Sequence, residues 1–313
     1  MPVDPALVPV LDAARETPAR DPNVTVQEQR DNAHGFMQQS FMALGEPGPD
    51  VGKVSDVRVS VDGGEITVRV YTPPGAGPFP AHIYFHGGAF WLGELDHFDV
   101  PCRELCAGAG CIVVSVDYRL APEHRFPVPP EDCYAALLWT VEHAYELGID
   151  PSRVSIGGGS AGGNLTAVVA LMARDRGGPL LVLQVLDIPV TDLTMSCASI
   201  TENGEGYMLT RGAIEQYCDY YLADPADATN PYASPMLADD LSNLPPAVVM
   251  TAEFDPLRDE GERYADRLAA AGVPVQFKRW DGHVHGSSSM TALVPSARDW
   301  RNEIIRALRA AYA

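Results

Sequence analysis

Residues 154–165 read VSIGGGSAGGNL and join an apolar run to a second apolar run. The first run has the composition of a buried strand, and the second has that of a helix. Gly158, Ser160 and Gly162 have the spacing G-x-S-x-G, which in a strand–turn–helix context places a serine hydroxyl on a tight turn, clear of the sheet. Glycines are needed there because a Cβ would meet the backbone of the neighbouring strand and helix.

A second pattern overlaps the first one. Gly157, Gly159 and Gly162 also satisfy G-x-G-x-x-G, and Asp187 follows at the end of the next apolar run. This is close to the dinucleotide-binding fingerprint, in which an acid holds the ribose hydroxyls. By itself the stretch leaves a nucleophile, a nucleotide-binding turn and a plain glycine turn open.

Apolar runs and helical stretches alternate along the rest of the chain. Buried strands are predicted at residues 81–85, 111–116, 154–156, 180–186, 247–251 and 275–280. Helices are predicted near residues 98–109, 131–147, 161–175, 259–271 and 297–311. An antiparallel hairpin is predicted from residues 57–61 and 66–70, which flank Asp-Gly-Gly. The alternation indicates a mostly parallel sheet that helices cover on both faces.

Two segments do not fit this alternation. About 60 residues separate the strand that ends at Asp187 from the next one, far more than an ordinary strand–helix connection. We therefore expect a catalytic domain over residues 51–313, with about 190–240 inserted as a second cap segment. Residues 1–50, with a helical pattern over 24–44, are expected to form the N-terminal cap segment.

Composition excludes several classes of protein. The chain has 313 residues, 46% of them hydrophobic and 20% charged, as in ordinary globular proteins. Its net charge of −20 repels phosphate backbones, so we expect no nucleic-acid partner. No apolar run approaches the roughly 20 residues of a membrane span, and no signal peptide is visible, so we expect no membrane span and a cytoplasmic location. The six cysteines form no CxxC pair, which indicates free thiols.

Three further motifs each follow a predicted strand. The motif HGGAF at residues 86–90 exposes backbone N–H groups that can form an oxyanion hole. Asp255 follows the strand at 247–251, and Glu253 is a weaker alternative acid. His283 and His285 follow the last strand, and either can act as the base; no carboxylate cluster accompanies them, which argues against a metal site there. Serine, acid and histidine in this chain order are typical of α/β-hydrolases.

Together these motifs resemble the hormone-sensitive-lipase family of α/β-hydrolases, especially its bacterial carboxylesterases. The resemblance extends over roughly residues 80–290. It rests on HGG at 86–88, DYRLAPE at 117–123, GGSAGGNL at 158–165, DPLRDEG at 255–261 and HG at 285–286. It implies the α/β-hydrolase fold, with a mostly parallel central sheet flanked by helices and with a helical cap.

The resemblance also implies roles for individual residues. Ser160 would be the nucleophile, Asp255 the orienting acid and His285 the base. The oxyanion hole would be formed by small residues, Gly87 shaping the turn and three others donating N–H groups: Gly88, Ala89 and Ala161. Aromatic and apolar side chains under the cap are expected to bind substrate: Phe90, Trp91, Tyr207 and Met208.

These roles imply a serine carboxylesterase that hydrolyses short-chain or small-molecule carboxylic esters through an acyl-enzyme. The alternatives are a lactone or amide hydrolase with the same triad and a non-catalytic ligand-binding protein on this scaffold. A nicotinamide oxidoreductase leaves residues 86–88, Asp255 and His285 unexplained. Nothing in the motifs requires a metal or an organic cofactor. Family members often pair through an edge strand, so the resemblance allows a homodimer.

Three positions depart from the family pattern. Gly159 stands where the family usually has Asp or Glu before the nucleophile, and Ala89 stands where a third glycine is common. Ser287 replaces a frequent Phe, so we expect a smaller or more polar pocket wall there. These departures leave the three triad residues unchanged.

Overall fold

An eight-stranded sheet forms the centre of the molecule. The structure is a computed structural model that describes residues 2–16 and 24–313, apart from the side chains of residues 16 and 36–42. The strands are β1 Lys53–Val61, β2 Gly64–Thr72, β3 Phe79–Phe85, β4 Ile112–Asp117, β5 Ile149–Gly159, β6 Leu183–Asp187, β7 Ala247–Phe254 and β8 Val275–Val284. Their order across the sheet is β1-β2-β4-β3-β5-β6-β7-β8.

The sheet is mostly parallel. Strand β2 pairs with β1 and β4 in antiparallel fashion, whereas all pairs from β4 to β8 are parallel. The predicted hairpin is thus confirmed as β1–β2, and each of the six predicted buried strands is present. Because parallel strands share their direction, the segments that follow β3, β5, β7 and β8 all begin at one edge of the sheet.

Helices cover both faces of this sheet. The α-helices are α1 Val8–Glu16, α2 Val26–Leu44, α3 Asp99–Ala109, α4 Val128–Glu142, α5 Ala144–Leu147, α6 Ala161–Asp175, α7 Ser199–Glu202, α8 Arg211–Tyr221, α9 Arg258–Ala270 and α10 Pro295–Tyr312. Alternate residues of β4 point to opposite faces, as the strand period of two requires. Val114 packs with α4, α6 and α9 in one core, and Val113 packs with α3 and α10 in the other.

The N-terminal helices lie against segments that follow strands β3, β4 and β8. Leu7 and Leu11 pack against Val284 and Met290, next to the end of β8. On α2, Arg30 donates hydrogen bonds to the carbonyl groups of Trp91 and Ala121. The division into residues 1–50, 51–313 and the insertion at about 190–240 stays a prediction, and residues 1 and 17–23 of the first segment lie outside the described residues.

Two further features concern the helices and the cysteines. Within the described ranges, no helix combines the length and the apolar character that a bilayer crossing requires. All six cysteines are free and buried. The prediction of free thiols at these positions is therefore confirmed.

Candidate active site

Ser160 stands on a strained turn between β5 and α6. Its backbone has φ 58° and ψ −118°, a conformation that non-glycine residues rarely adopt. A Cβ at Gly158 would lie 2.2 Å from the carbonyl oxygen of Phe85, and one at Gly162 would lie 1.9 Å from it. These two glycines therefore allow β3 to approach the turn, which confirms the close approach that the sequence predicts.

Three side chains from the ends of β5, β7 and β8 form a hydrogen-bonded row. The Nε2 atom of His285 is 3.0 Å from the Ser160 hydroxyl oxygen, and its Nδ1 atom is 2.7 Å from Asp255 Oδ2. A carboxylate only accepts hydrogen bonds, so Nδ1 carries the proton and Nε2 is free to accept the proton of the hydroxyl. Asp255 is 1% exposed, and its second oxygen accepts the backbone N–H of Leu257.

The alternative base and the alternative acid lie elsewhere. His283 is 1% exposed. Its Nδ1 atom is 2.8 Å from the hydroxyl oxygen of Ser287, and its Nε2 atom is 2.8 Å from that of Ser296. Burial lowers the pKa of this imidazole. Glu253 accepts the backbone N–H of Gly282. Neither side chain joins the row of Ser160, His285 and Asp255.

The loop after β3 lies beside Ser160. Gly88 has φ +121°, and a Cβ at this position would lie 2.1 Å from the carbonyl oxygen of Leu92. Ala89 also has positive φ, 53°. Among the described residues, no acceptor is hydrogen bonded to the backbone N–H of Gly88 or Ala89. Ala161 begins α6, where the N–H of a first helical residue has no partner within the helix.

Stacked aromatic rings pack at the start of this loop. The imidazole of His86 stacks on Tyr118 with 4.2 Å between ring centroids, and the Tyr118 hydroxyl donates to the His86 carbonyl. His86 Nδ1 donates to the carbonyl of Gly87. Burial lowers the pKa of His86 to about 4, so the ring is neutral at physiological pH. The DYRLAPE block, to which Tyr118 belongs, therefore supports the loop and is not part of the row.

A cavity of about 370 Å³ opens onto Ser160 and His285. Much of its wall is apolar and includes Leu92, Phe98, Ile188, Met208 and Leu209. Its charged lining residues are Glu46, Glu104, Asp187 and Arg301. Burial raises the pKa of Glu104.

Of the predicted substrate-binding residues, Met208 lines the cavity and Phe90 does not. The Phe90 ring is fully buried and stacks on Tyr221, with 3.8 Å between centroids. The sequence expectation for Phe90 is therefore corrected: its positive φ turns the ring into the core. Trp91 packs edge-on against Tyr220, and Tyr207 lies against Phe254; neither is part of the cavity wall described above.

Ser287 does not line the cavity either. Its hydroxyl donates to the carbonyl of Val284 and lies 2.8 Å from His283 Nδ1, so it closes the turn after β8. The smaller or more polar pocket wall expected from Ser287 stays a prediction. Ser288 and Ser289, the next two residues, line the cavity.

Asp187 lines the cavity, although the sequence pattern placed it in a dinucleotide-binding fingerprint. Its Oδ1 atom accepts the indole N–H of Trp300 at 2.8 Å, and its Oδ2 atom accepts the hydroxyl of Ser288 at 3.4 Å. Burial raises the pKa of this carboxyl to about 6, although the Arg301 cation opposes the change. The signal in the sequence was its place at the end of a parallel strand, where ligand sites form in α/β folds.

Residues 82–289 match the profile of a protein family described as having the alpha/beta hydrolase fold. The chain is 40% identical to the esterase LipI of Mycobacterium tuberculosis over 312 residues, which are 98% of this chain and 94% of that protein. It is 45% identical to the carboxylic ester hydrolase LipN of the same organism over 271 residues, 84% of this chain and 72% of that protein. The chain belongs to the hormone-sensitive-lipase family of α/β-hydrolases.

The same relationship holds in three dimensions. A hyperthermophilic esterase from the archaeon Pyrobaculum calidifontis superposes with a TM-score of 0.94, at 40% identity and over the full length of both chains. The fold expected from the sequence is confirmed, and the protein is a serine ester hydrolase. Membership in this family excludes the nicotinamide oxidoreductase as an explanation of the glycine-rich stretch.

Proposed function

We propose that this hydrolase is a carboxylesterase that cleaves short-chain or other small-molecule carboxylic esters through an acyl-enzyme on Ser160. The observation that carries the proposal is the row in which His285 lies 3.0 Å from Ser160 and 2.7 Å from Asp255. A serine hydroxyl is a weak nucleophile until an oriented base takes its proton, and this row supplies both base and orientation.

In the first half of the reaction, His285 Nε2 removes the Ser160 proton as the hydroxyl oxygen attacks the ester carbonyl. The Asp255 carboxylate holds the Nδ1–H and stabilises the imidazolium that forms. The imidazolium then gives its proton to the leaving alcohol, and the acyl group stays on Ser160. In the second half, water gives a proton to His285 Nε2 as its oxygen attacks the acyl carbonyl. The imidazolium then returns this proton to the Ser160 oxygen as the bond to the acyl carbon breaks, which releases the acid and the free enzyme.

The negative charge of each tetrahedral intermediate needs a binding place. We assign it to the backbone N–H groups of Gly88, Ala89 and Ala161, with Gly87 shaping the turn. The free N–H groups of the loop and the first N–H of α6 support this assignment. Loss of one such donor typically costs about 2.7–4 kcal/mol in the transition state. The side chain of Ala89 does not interfere, because the donor is its backbone.

The cavity supports a small substrate. About 370 Å³ is near the lower end of the range for small-molecule sites, and much of the wall is apolar. Three of the four charged lining residues are acidic, and the whole chain carries a net charge of −20. Uncharged or cationic esters are therefore favoured over anionic ones. A homodimer and a cytoplasmic location remain predictions from the sequence.

The nucleophile is tested with Ser160→Ala and a matched control, Ser60→Ala, which removes an exposed hydroxyl on β1. We expect Ser160→Ala to fold, to hydrolyse p-nitrophenyl acetate near the uncatalysed rate and to resist labelling by a fluorophosphonate probe. Ser60→Ala should retain turnover and labelling. Turnover retained in Ser160→Ala would refute the assignment.

The remaining alternatives differ in what the purified enzyme cleaves. A panel of esters with varied acyl and alcohol groups, with lactones and amides included, should give the highest kcat/KM for small esters. A preference for lactones or amides would replace the proposed substrate class but keep the mechanism. A protein that binds these compounds without turnover and without fluorophosphonate labelling would be the ligand-binding alternative.

A further inference from the structure

His34 on helix α2 lies close to Glu94 and His97, which belong to the segment between β3 and α3. One ligand atom from each of His34, Glu94 and His97 lies within 4.8 Å of the others. Glu94 Oε1 is 3.9 Å from His34 Nδ1 and 3.6 Å from His97 Nε2. The two imidazole centroids are 4.7 Å apart. The row of Ser160, His285 and Asp255 uses none of these side chains.

Neither imidazole is hydrogen bonded to a residue that the structure describes. Within the part of the chain that the structure describes, His34 Nε2 and His97 Nδ1 are buried and have no hydrogen-bond partner. The distances from the other two ring nitrogens to Glu94 exceed the limit for a hydrogen bond. In both rings the nitrogen nearest Glu94 is therefore left without a hydrogen bond to a described residue, so it is open to a metal ion.

The backbone holds the three side chains on facing surfaces. Glu94 is the N-cap of a 3₁₀-helix, Leu95–Phe98, that contains His97, and this short segment brings the carboxylate of Glu94 to 3.6 Å from His97 Nε2. His34 follows Arg30 by one turn of α2, and the hydrogen bonds of Arg30 to Trp91 and Ala121 fix that helix face against the catalytic domain. The cluster is thus positioned before any ligand binds.

We propose that His34, Glu94 and His97 bind a Zn²⁺-class divalent cation that ties helix α2 to the segment after the β3 loop. Two imidazoles and one carboxylate suit this class of ion, with a water molecule in the fourth position. In tetrahedral Zn²⁺ sites, ligand atoms are about 3.3 Å apart, as bonds of 2.0–2.2 Å require. The distances from Glu94 are slightly longer, and rotation of its 55% exposed side chain shortens them.

The position of the site connects it to the cavity. His97 also lines the cavity that opens onto Ser160. A cation on His97 and His34 therefore joins a wall of the cavity to the N-terminal helix, and it neutralises charge on a strongly acidic chain. Binding is independent of the hydrolytic chemistry, so its test does not depend on turnover.

The test is isothermal titration calorimetry of the full chain, freed of metal by EDTA dialysis, with ZnCl₂ at pH 7.5. We expect one saturable site per chain with a micromolar or lower Kd. His34→Ala and His97→Ala should each weaken binding at least tenfold. The matched control is His143→Ala, because that ring lies on Trp139 at the end of α4 and outside the cluster. It should bind Zn²⁺ as the natural chain does, and MgCl₂ should give no saturable heat.

Glu94→Gln is a second variant that should fold normally, because the exposed side chain of Glu94 is not required for packing. We expect it to keep the circular dichroism spectrum and the Tm of the metal-free chain, and to bind Zn²⁺ at least tenfold more weakly. X-ray absorption at the zinc edge should show two imidazole ligands in the natural chain. Equal affinity in the natural chain, His34→Ala and His97→Ala, or no saturable site, would overturn the proposal.

Discussion

The carboxylate of Asp187 lies beside Gly159, the residue before the reactive serine. Its Oδ2 atom is 3.9 Å from the point where a Cβ of residue 159 would stand. The family usually has an acid at that position, and here the neighbouring strand β6 brings an acid to the same place. An acid therefore still stands beside the residue before Ser160, although residue 159 itself is glycine.

The burial of Asp187 predicts how the free energy of unfolding changes with pH. The pKa of Asp187 is about 6 in the folded chain, above the usual 3.8. Folding then favours the protonated form, so the stability it contributes is complete below pH 3.8 and is lost as pH rises through 6. Relative to Asp187→Asn, the natural chain should lose about 2 kcal/mol of unfolding free energy between pH 4.5 and 7.5. Urea unfolding of both proteins at these two pH values measures the difference.

An equal pH dependence in the two proteins would contradict the raised pKa of Asp187. Asp239→Asn is the matched control, since this carboxylate is exposed on a surface loop. It should show the same pH dependence as the natural chain. A difference of the opposite sign between the natural chain and Asp187→Asn would mean that folding stabilises Asp187 as a charged group.

The two histidines after the last strand should respond differently to substitution. His285→Ala removes the only imidazole in the described row with Ser160 and should lower kcat to near background. His283→Ala breaks contacts with Ser287 and Ser296, so it should lower Tm and reduce kcat only in part. Turnover of p-nitrophenyl acetate and thermal unfolding, measured on the same preparations, separate the effects. The reverse pattern would make His283 the base.

The two acids after β7 give a second comparison. Asp255→Asn places an amide against Nδ1 of His285, which favours the wrong tautomer and should lower kcat on the order of 10³–10⁴-fold. Glu253→Gln keeps an oxygen that can accept the Gly282 N–H, so its kcat should stay within about threefold of the natural value. A larger loss for Glu253→Gln than for Asp255→Asn would make Glu253 the orienting acid.

The turn at Ser160 predicts a sharp contrast between two glycines. A Cβ at Gly162 would lie 1.9 Å from the carbonyl oxygen of Phe85, so Gly162→Ala must move β3 or α6 and should cost more than about 3 kcal/mol of stability. Gly212, near the start of α8, has nothing within 4 Å of its Cβ position. Gly212→Ala should therefore raise stability by roughly 0.5–1 kcal/mol. Chemical unfolding measures both, and comparable effects would contradict the close approach.

Local patterns carried the prediction of the fold a long way. The G-x-S-x-G stretch required a strand before it and a helix after it, and the structure has β5 and α6 at these positions. The alternation of apolar runs predicted the parallel part of the sheet. Such inferences succeed because the strand and helix periods depend on residues that are close together in the sequence.

The choice between His283 and His285 could not be made in this way. In a continuing strand, residues two apart share a face, so both imidazoles would point alike. Strand β8 ends at Val284, and the chain turns there, which sends His283 to Ser287 and His285 to Ser160. Phe90 is a similar case, because a positive φ turned its ring away from the predicted pocket.

The sequence by itself determined the order of elements, the family and the identity of the residues that end β5, β7 and β8. Only the tertiary structure decided which residues lie close together: Asp187 and Gly159, His285 and Ser160, and His34 with Glu94 and His97. The physical reason is that these partners belong to separate strands or segments. Their distances depend on the strand order, the side-chain rotamers and the exact end of each strand, none of which is encoded in a local pattern.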